Sequence, residues 1–183
     1  MGKLEHPGAV AVRDIDVTED GAPFLVMELL EGESLKDRLE RLAGIGVEEA
    51  LRYADEALDV LAAAHDQGIV HRDIKLDNLF VTAGGGLKVL DFGIARMREG
   101  TPLTMVGTRL GTLPYMPPEQ VKGQDIDGRA DLFAVGAVLF RVLSRRRVHE
   151  ANTEAEMIIK MSAVPAPPLA SVAPSLSADV GAV

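Results

Sequence analysis

The chain has 183 residues, 47% hydrophobic and 26% charged, which is the balance of a globular domain and excludes a disordered, collagen-like or coiled-coil chain. It has no cysteine, which rules out a disulfide scaffold, a thiolate metal site and a cysteine nucleophile. Lys and Arg number 19 against 28 Asp and Glu, a formal charge of −9, so general nucleic-acid binding is not expected.

The opening residues read as loop and strand. Met1 to Val10 contains no apolar core segment of a signal peptide. Glu19 to Pro23 has turn composition, and the apolar run Phe24 to Met27 that follows predicts a buried strand. Gly32 permits a chain reversal. Ser34, with Asp37 three residues on, is a helix-capping signature for a short helix through Leu39 and Leu42.

Val47 to His65 is the clearest amphipathic helix, with Val47, Ala50, Leu51, Ala54, Ala57, Leu58, Leu61 and Ala62 as its apolar face and Gly68 as its stop. Leu79 to Thr82 and Leu87 to Leu90 are short strands. The intervening Ala83-Gly84-Gly85-Gly86 is hairpin chemistry and not a phosphate cradle, because no helix follows it. Thr101 to Glu119 reads as a long loop. Leu132 to Leu143 is apolar on nearly every face, the pattern of a helix buried at a domain centre; Arg141 and its length exclude a membrane span. The basic run Arg145 to Arg147 reads as a solvated loop, and His6 and His149 as surface residues. Glu154 to Met161 predicts a short helix. Pro165, Pro167, Pro168 and Pro174 predict an irregular segment, and Ser175 to Val180 the start of another helix. A soluble, cytoplasmic protein is expected.

Chemistry concentrates around the hairpin. His71-Arg72-Asp73-Ile74-Lys75-Leu76-Asp77-Asn78 precedes its first strand, and Asp91-Phe92-Gly93 follows its second. Asp73 can accept a proton from a hydroxyl. Asn78 and Asp91 offer hard oxygen ligands suited to Mg²⁺, and Lys75 offers positive charge for a phosphoryl group. With Gly111-Thr112-Leu113-Pro114-Tyr115-Met116-Pro117-Pro118-Glu119, and Asp131 with Gly136, these motifs resemble the eukaryotic-type, bacterial Hanks-type serine/threonine protein kinase family.

The resemblance implies an α+β fold. Residues 31–183 would form a mainly helical lower lobe with small β-hairpins, incomplete at its end. Residues 1–30 would be the hinge and a remnant of the upper-lobe sheet. It implies transfer of the ATP γ-phosphate to Ser/Thr hydroxyls of a protein substrate, with ATP and Mg²⁺ as cofactors. Asp73 would be the catalytic base, Lys75 would contact the transferred phosphate, and Thr112 would sit beside Asp73 at the substrate. Asn78 and Asp91 would hold magnesium. Met27 would stand behind adenine as gatekeeper, the backbones of Glu28 and Leu30 would supply hinge hydrogen bonds, and Phe80 would form the adenine floor. His71 and Phe92 would pack in an internal spine, and Asp131 would tie the catalytic loop to the buried helix. Thr104, with Thr101 and Thr108, would be phosphorylated opposite Arg72 and Arg96.

Departures from the family pattern bear on activity. The Gly-rich loop, the strand lysine and its glutamate partner have no counterpart in the sequence. Leu4-Glu5-His6-Pro7 matches the stretch after that glutamate's helix, so Lys3 falls too late to serve as the lysine. No arginine follows Arg147 to pair with Glu119. Leu76 replaces a usual proline, Pro117 a usual alanine, and Arg145 to His149 a usual Gly-x-x-Pro-Phe. Weak nucleotide binding and little turnover are therefore expected of this chain alone, with exposed apolar surface near Met27, Phe80 and Phe92. The alternatives are a pseudokinase or interaction module that uses the lower lobe for docking, and a decayed fragment.

Overall fold

The computed structural model describes residues 4–92, 112–174 and 176. Strands β1 (Val12–Val17) and β2 (Pro23–Met27) pair antiparallel from Val17↔Pro23 to Val12↔Met27. The expected turn joins them, closed by the Thr18 amide on the Ala22 carbonyl at 2.8 Å. The burial expected of Phe24 to Met27 fails: Phe24 and Val26 are 41% exposed and Met27 38%, and on the paired strand Ile15 is 57% and Val17 60% exposed. A two-stranded ribbon offers an apolar side chain on either face, and neither face of this one is covered.

A three-stranded antiparallel sheet carries the chain onward, in the order β3 (Gly32–Ser34), β4 (Leu79–Thr82), β5 (Leu87–Val89). Gly32 has φ +147°, and a Cβ there would lie 2.1 Å from the Val81 carbonyl oxygen. Only glycine lets β3 come this close to β4. The opening segment docks on the same sheet, with the Val89 amide on the Gly8 carbonyl at 2.7 Å and the Val10 amide on the Val89 carbonyl at 3.0 Å.

Helix α1 (Leu35–Arg41) starts where the capping signature places it. Ser34 Oγ accepts the Asp37 amide at 3.1 Å, and Leu35 and Leu39 are buried. Helix α2 (Val47–His65) has its expected bounds. At its end, the Gly68 amide reaches the His65 carbonyl and the Ile69 amide the Ala64 carbonyl, with Gly68 at φ +70°. Its buried stripe is rotated from the expected one, however. Ala50, Tyr53, Ala57, Val60, Leu61 and Ala64 face inward, while Leu51 and Leu58 are exposed. Tyr53 tips the balance: its ring is buried, and its hydroxyl still donates to Glu49 Oε1 at 2.6 Å.

From Thr112 onward, two short elements occupy part of the stretch that reads as a long loop. These are a 3₁₀ turn at Leu113–Tyr115 and α3 (Pro118–Val121), the latter started by two prolines that fix φ. Helix α4 (Arg129–Ser144) packs along α2 and is buried through Ala130, Ala134, Val135, Ala137, Val138, Phe140 and Val142. One side stays open, with Leu132 and Phe133 50% and 42% exposed, so this helix is not enclosed all round. Helix α5 (Glu154–Ala163) presses Met157 and Met161 onto Leu113 and Met116. Pro168 starts a single turn, α6 (Leu169–Val172), within the expected irregular segment. The helix expected from Ser175 to Val180 lies outside the described residues, apart from Leu176. The main core joins α1, α2, α4 and the three-stranded sheet, with Leu61 and Val89 fully buried. No helix among the described residues is long and apolar enough to cross a membrane.

The close approach at Gly32 predicts that Gly32→Ala lowers stability by about 2–4 kcal/mol, from strain and overpacking together. Gly21→Ala, at φ +85° in open space, loses only about 1 kcal/mol. Urea unfolding of the two variants checks this, and equal losses would refute the account.

Candidate active site

The segment between α2 and β4 is held from below by one carboxylate. Asp131, in the first turn of α4 and 1% exposed, takes the amide of His71 on Oδ2 and that of Arg72 on Oδ1, both at 2.8 Å. His65 Nε2 lies 2.8 Å from the same Oδ2. A buried carboxylate is costly unless such donors satisfy it. Arg72 then turns into left-handed space, φ +67°, an unusual backbone state for a side chain of its size.

His71 commits both ring nitrogens. Nε2 stands 2.7 Å from the Leu90 carbonyl, which can only accept, so Nε2 carries the proton. Nδ1 then accepts the Asp73 amide at 3.3 Å. The ring meets Phe92 edge-on with centroids 4.6 Å apart. On its other side Leu90 donates its amide to the Asn78 carbonyl at 2.9 Å. Leu90 is thus gripped from both sides immediately before Asp91, which is half-buried at φ +69°.

Three of the side chains expected to act together are hydrogen-bonded around Asp73. Lys75 Nζ lies 2.8 Å and 3.1 Å from its two carboxylate oxygens and donates to Thr112 Oγ1 at 3.1 Å. Asn78 Nδ2 donates to the Asp73 carbonyl at 2.8 Å and to its Oδ2 at 3.1 Å. That spends the Asn78 amide protons and leaves its Oδ1 as the free ligating atom. Asn78 itself is buried, in a 3₁₀ turn over Leu76–Asn78. Lys75, Asn78, Asp91 and Thr112 line a common cleft of about 590 Å³.

Met27, Glu28, Leu30 and Phe80 lie outside the lining of that cleft. Met27 is 38% exposed at the end of β2. Glu28 Oε1 pairs with Lys88 Nζ at 2.5 Å and accepts the Ala11 amide at 2.9 Å, and these two contacts hold its carboxyl below the usual range. Leu30 and Phe80 are half-buried, Phe80 pairing with Ser34 and Lys88 across the sheet. Phe92 is 8% exposed, so the apolar surface expected there is closed by its contact with His71.

Other side chains depart from the sequence reading. Arg145 is not merely solvated: its guanidinium donates to the Leu42 and Leu39 carbonyls at 2.9 and 3.3 Å, satisfying the end of α1. His6 is half-buried, holding the Gly8 amide on Nδ1 at 3.1 Å and Asp59 3.2 Å from Nε2, because the opening segment folds down onto α2. His149 is half-buried too, and burial, with help from Lys160, pushes its imidazole below the ordinary value. Asp77 does not depart from its reading as a polar residue of the Asp73 segment: it is exposed and pairs with Lys36 at 3.2 Å. Sequence reasoning missed the structural part of Gln120. It is 5% exposed, and its Nε2 donates to the Arg72 carbonyl at 2.9 Å, linking α3 to the segment that carries Asp73. No local pattern distinguishes a glutamine that reaches a carbonyl 48 positions away. Glu119 is half-buried, and among the described residues it forms no ion pair. Arg96, Thr101, Thr104 and Thr108 lie outside the described residues.

Comparison with known proteins puts this arrangement in context. A sequence-family model described as "Protein kinase domain" matches residues 1–175. Serine/threonine-protein kinase Pkn1 of Myxococcus xanthus is 38% identical over 180 residues, which is 96% of this chain and 26% of that protein. Probable serine/threonine-protein kinase PknB of Lactococcus lactis is 33% identical over 160 residues, 87% of this chain and 25% of the relative. Serine/threonine-protein kinase PknA of Mycobacterium tuberculosis is 34% identical over 170 residues, 91% and 39%. The chain thus spans about a quarter to two-fifths of the length of these relatives.

The Asp131 clamp predicts that Asp131→Asn costs about 3–5 kcal/mol, because the new amide turns a donor toward a backbone N–H. Gln120→Ala, which leaves one carbonyl unpaired, costs about 1–3 kcal/mol. Chemical denaturation of both variants measures the order, and a milder effect at Asp131 would contradict it.

Proposed function

This chain belongs to the protein kinase family, among the bacterial-type serine/threonine kinase domains, and we propose that it contributes the catalytic side of phosphoryl transfer from ATP to Ser/Thr hydroxyls of a protein. The observation that carries the reading is the hydrogen-bonded group Asp73–Lys75–Asn78–Thr112, of which Lys75, Asn78 and Thr112 line one cleft with Asp91. In this reading Asp73 orients the acceptor hydroxyl and takes its proton on the carboxylate. Lys75 holds that carboxylate in place and sets positive charge beside the reacting oxygens. Thr112 positions Lys75 and flanks the acceptor.

Magnesium fits the donor set. Asn78 Oδ1 and the Asp91 carboxylate are hard oxygens facing one cleft. Among the described residues no group of three or more His, Asp or Glu could hold a metal alone, which suits an ion bound jointly with phosphate oxygens. Mg-ATP, when bound, supplies the phosphoryl group and neutralises its developing charge. Met27, the Glu28 and Leu30 backbones and Phe80 would take the adenine end.

We assign residues 31–183 to the lower lobe and residues 1–30 to the hinge and part of the upper lobe. The uncovered β1–β2 ribbon supports this, as does the lack of a Gly-rich loop and strand lysine in the sequence. In this reading Asp73, Asn78 and Asp91 supply the base and the metal ligands, while the 183 residues include no Gly-rich loop or strand lysine to clamp the nucleotide phosphates, so weak binding and little or no turnover are expected of this chain alone.

Titration of the chain with Mg-ATP, followed by NMR, tests the proposal. Weak binding that requires magnesium and vanishes in Asp91→Asn is expected, with no detectable phosphotransfer to protein. Absence of magnesium-dependent binding at millimolar nucleotide would overturn the nucleotide reading. Robust transfer abolished by Asp73→Ala would overturn the expectation of little or no turnover by this chain alone.

A further inference from the structure

The cleft that holds Lys75, Asn78, Asp91 and Thr112 extends toward the end of α4, and its charge there is opposite to that of the molecule. Five cations line it (Lys36, Lys75, Arg141, Arg145 and Arg147) against three carboxylates, in a chain whose formal charge is −9. The two lysines are already neutralised, Lys75 by Asp73 at 2.8 Å and Lys36 by Asp77 at 3.2 Å. The three arginines are not. Arg141 Nη1 donates to the Arg145 carbonyl, and Arg145 donates to the Leu39 and Leu42 carbonyls. These acceptors are neutral, so they fix the guanidinium groups without cancelling their charge. Among the described residues neither Arg141, Arg145 nor Arg147 pairs with a carboxylate. Tyr115 lines the same cleft: burial raises its phenol above the ordinary value, Arg141 and Arg147 pull it back, and Asp77 raises it.

We propose that this end of the cleft reads acidic residues beside the phosphorylated position, so that the preferred protein substrate carries Asp or Glu within two or three residues of its acceptor Ser or Thr. The inference rests on the kinase reading for the identity of the acceptor. The spacing follows from chain geometry, since an extended peptide advances about 3.3 Å per residue and two or three residues span a cleft of this size. Arg141 and Arg147 are the selecting side chains. Arg145, anchored on α1, holds the Arg141 guanidinium through its carbonyl and is a positioning residue. An acidic peptide is repelled by the protein as a whole, so any preference for it must arise locally.

The test measures binding of a labelled peptide, a single threonine flanked on each side by two glutamates, by fluorescence anisotropy. The same peptide with glutamines is the reference. The acidic peptide should bind about fivefold tighter or more at low salt, and the difference should shrink as salt screens the charges. Arg141→Gln with Arg147→Gln should erase it. Arg147→Gln alone, at an exposed position, should reduce it without moving the unfolding midpoint, which covers the case in which the double variant folds poorly. Equal affinity for the two peptides, or a preference untouched by Arg147→Gln, overturns the inference. Mg-ATP binding is read on the same samples. Lost peptide preference with nucleotide binding intact refutes this inference alone. A retained, arginine-dependent preference without nucleotide binding supports the acid-reading surface and refutes the kinase reading.

Discussion

One buried carboxylate organises the cleft side of this molecule. Asp131 sits at the start of the central helix and accepts the amides of two successive residues of the segment that carries Asp73. Those amides have no strand or helix partner, and a buried amide without an acceptor costs about 1–3 kcal/mol. The carboxylate in turn needs donors to remain buried. Each side therefore makes the other tolerable, and the Asp73 segment is registered against α4, a helix buried along most of its length. Residues after Arg72 inherit that register through short covalent links.

A second level of constraint runs through His71. Its two nitrogens join the segment before β4 to the residue preceding Asp91, and Asn78 closes the loop by accepting the Leu90 amide. The strained turns at Arg72 and Asp91 fall on either side of this connection. Unfavourable backbone states of this kind persist only where surrounding contacts over-determine them. Here those contacts are the Asp131 clamp, the His71 bridge and Gln120 on the Arg72 carbonyl.

The parts legible in the sequence are those governed by local rules. Ser34 with Asp37 marked the start of α1, Gly68 the stop of α2, and the glycine-rich turn the β4–β5 hairpin. The motif residues Asp73, Lys75 and Asn78 were legible because they lie within one short segment, so a single loop brings them together. What escaped depended on distant partners. The face of α2 was misplaced because Tyr53 competes with Leu51 and Leu58, and the winner is set by what α4 presents. Arg145 looked solvated because the carbonyls it satisfies belong to a helix more than a hundred positions earlier. Gln120 was silent for the same reason. Within the β1–β2 ribbon, the run Phe24 to Met27 reads as a buried strand because apolar strands usually are, and composition cannot say whether a cover exists.

That ribbon gives the molecule two tiers of cooperativity. Isolated two-stranded ribbons are marginal in water, and this one has little buried apolar surface to hold it closed. Its backbone amides are expected to exchange with solvent through local opening, while those of α2, with Leu61 and Ala64 fully enclosed, are expected to wait for the main core to unfold. Glu28, tethered to Lys88 on β5, lies at the seam between the two tiers and is the first point where fraying of the ribbon meets the hydrogen-bonded sheet.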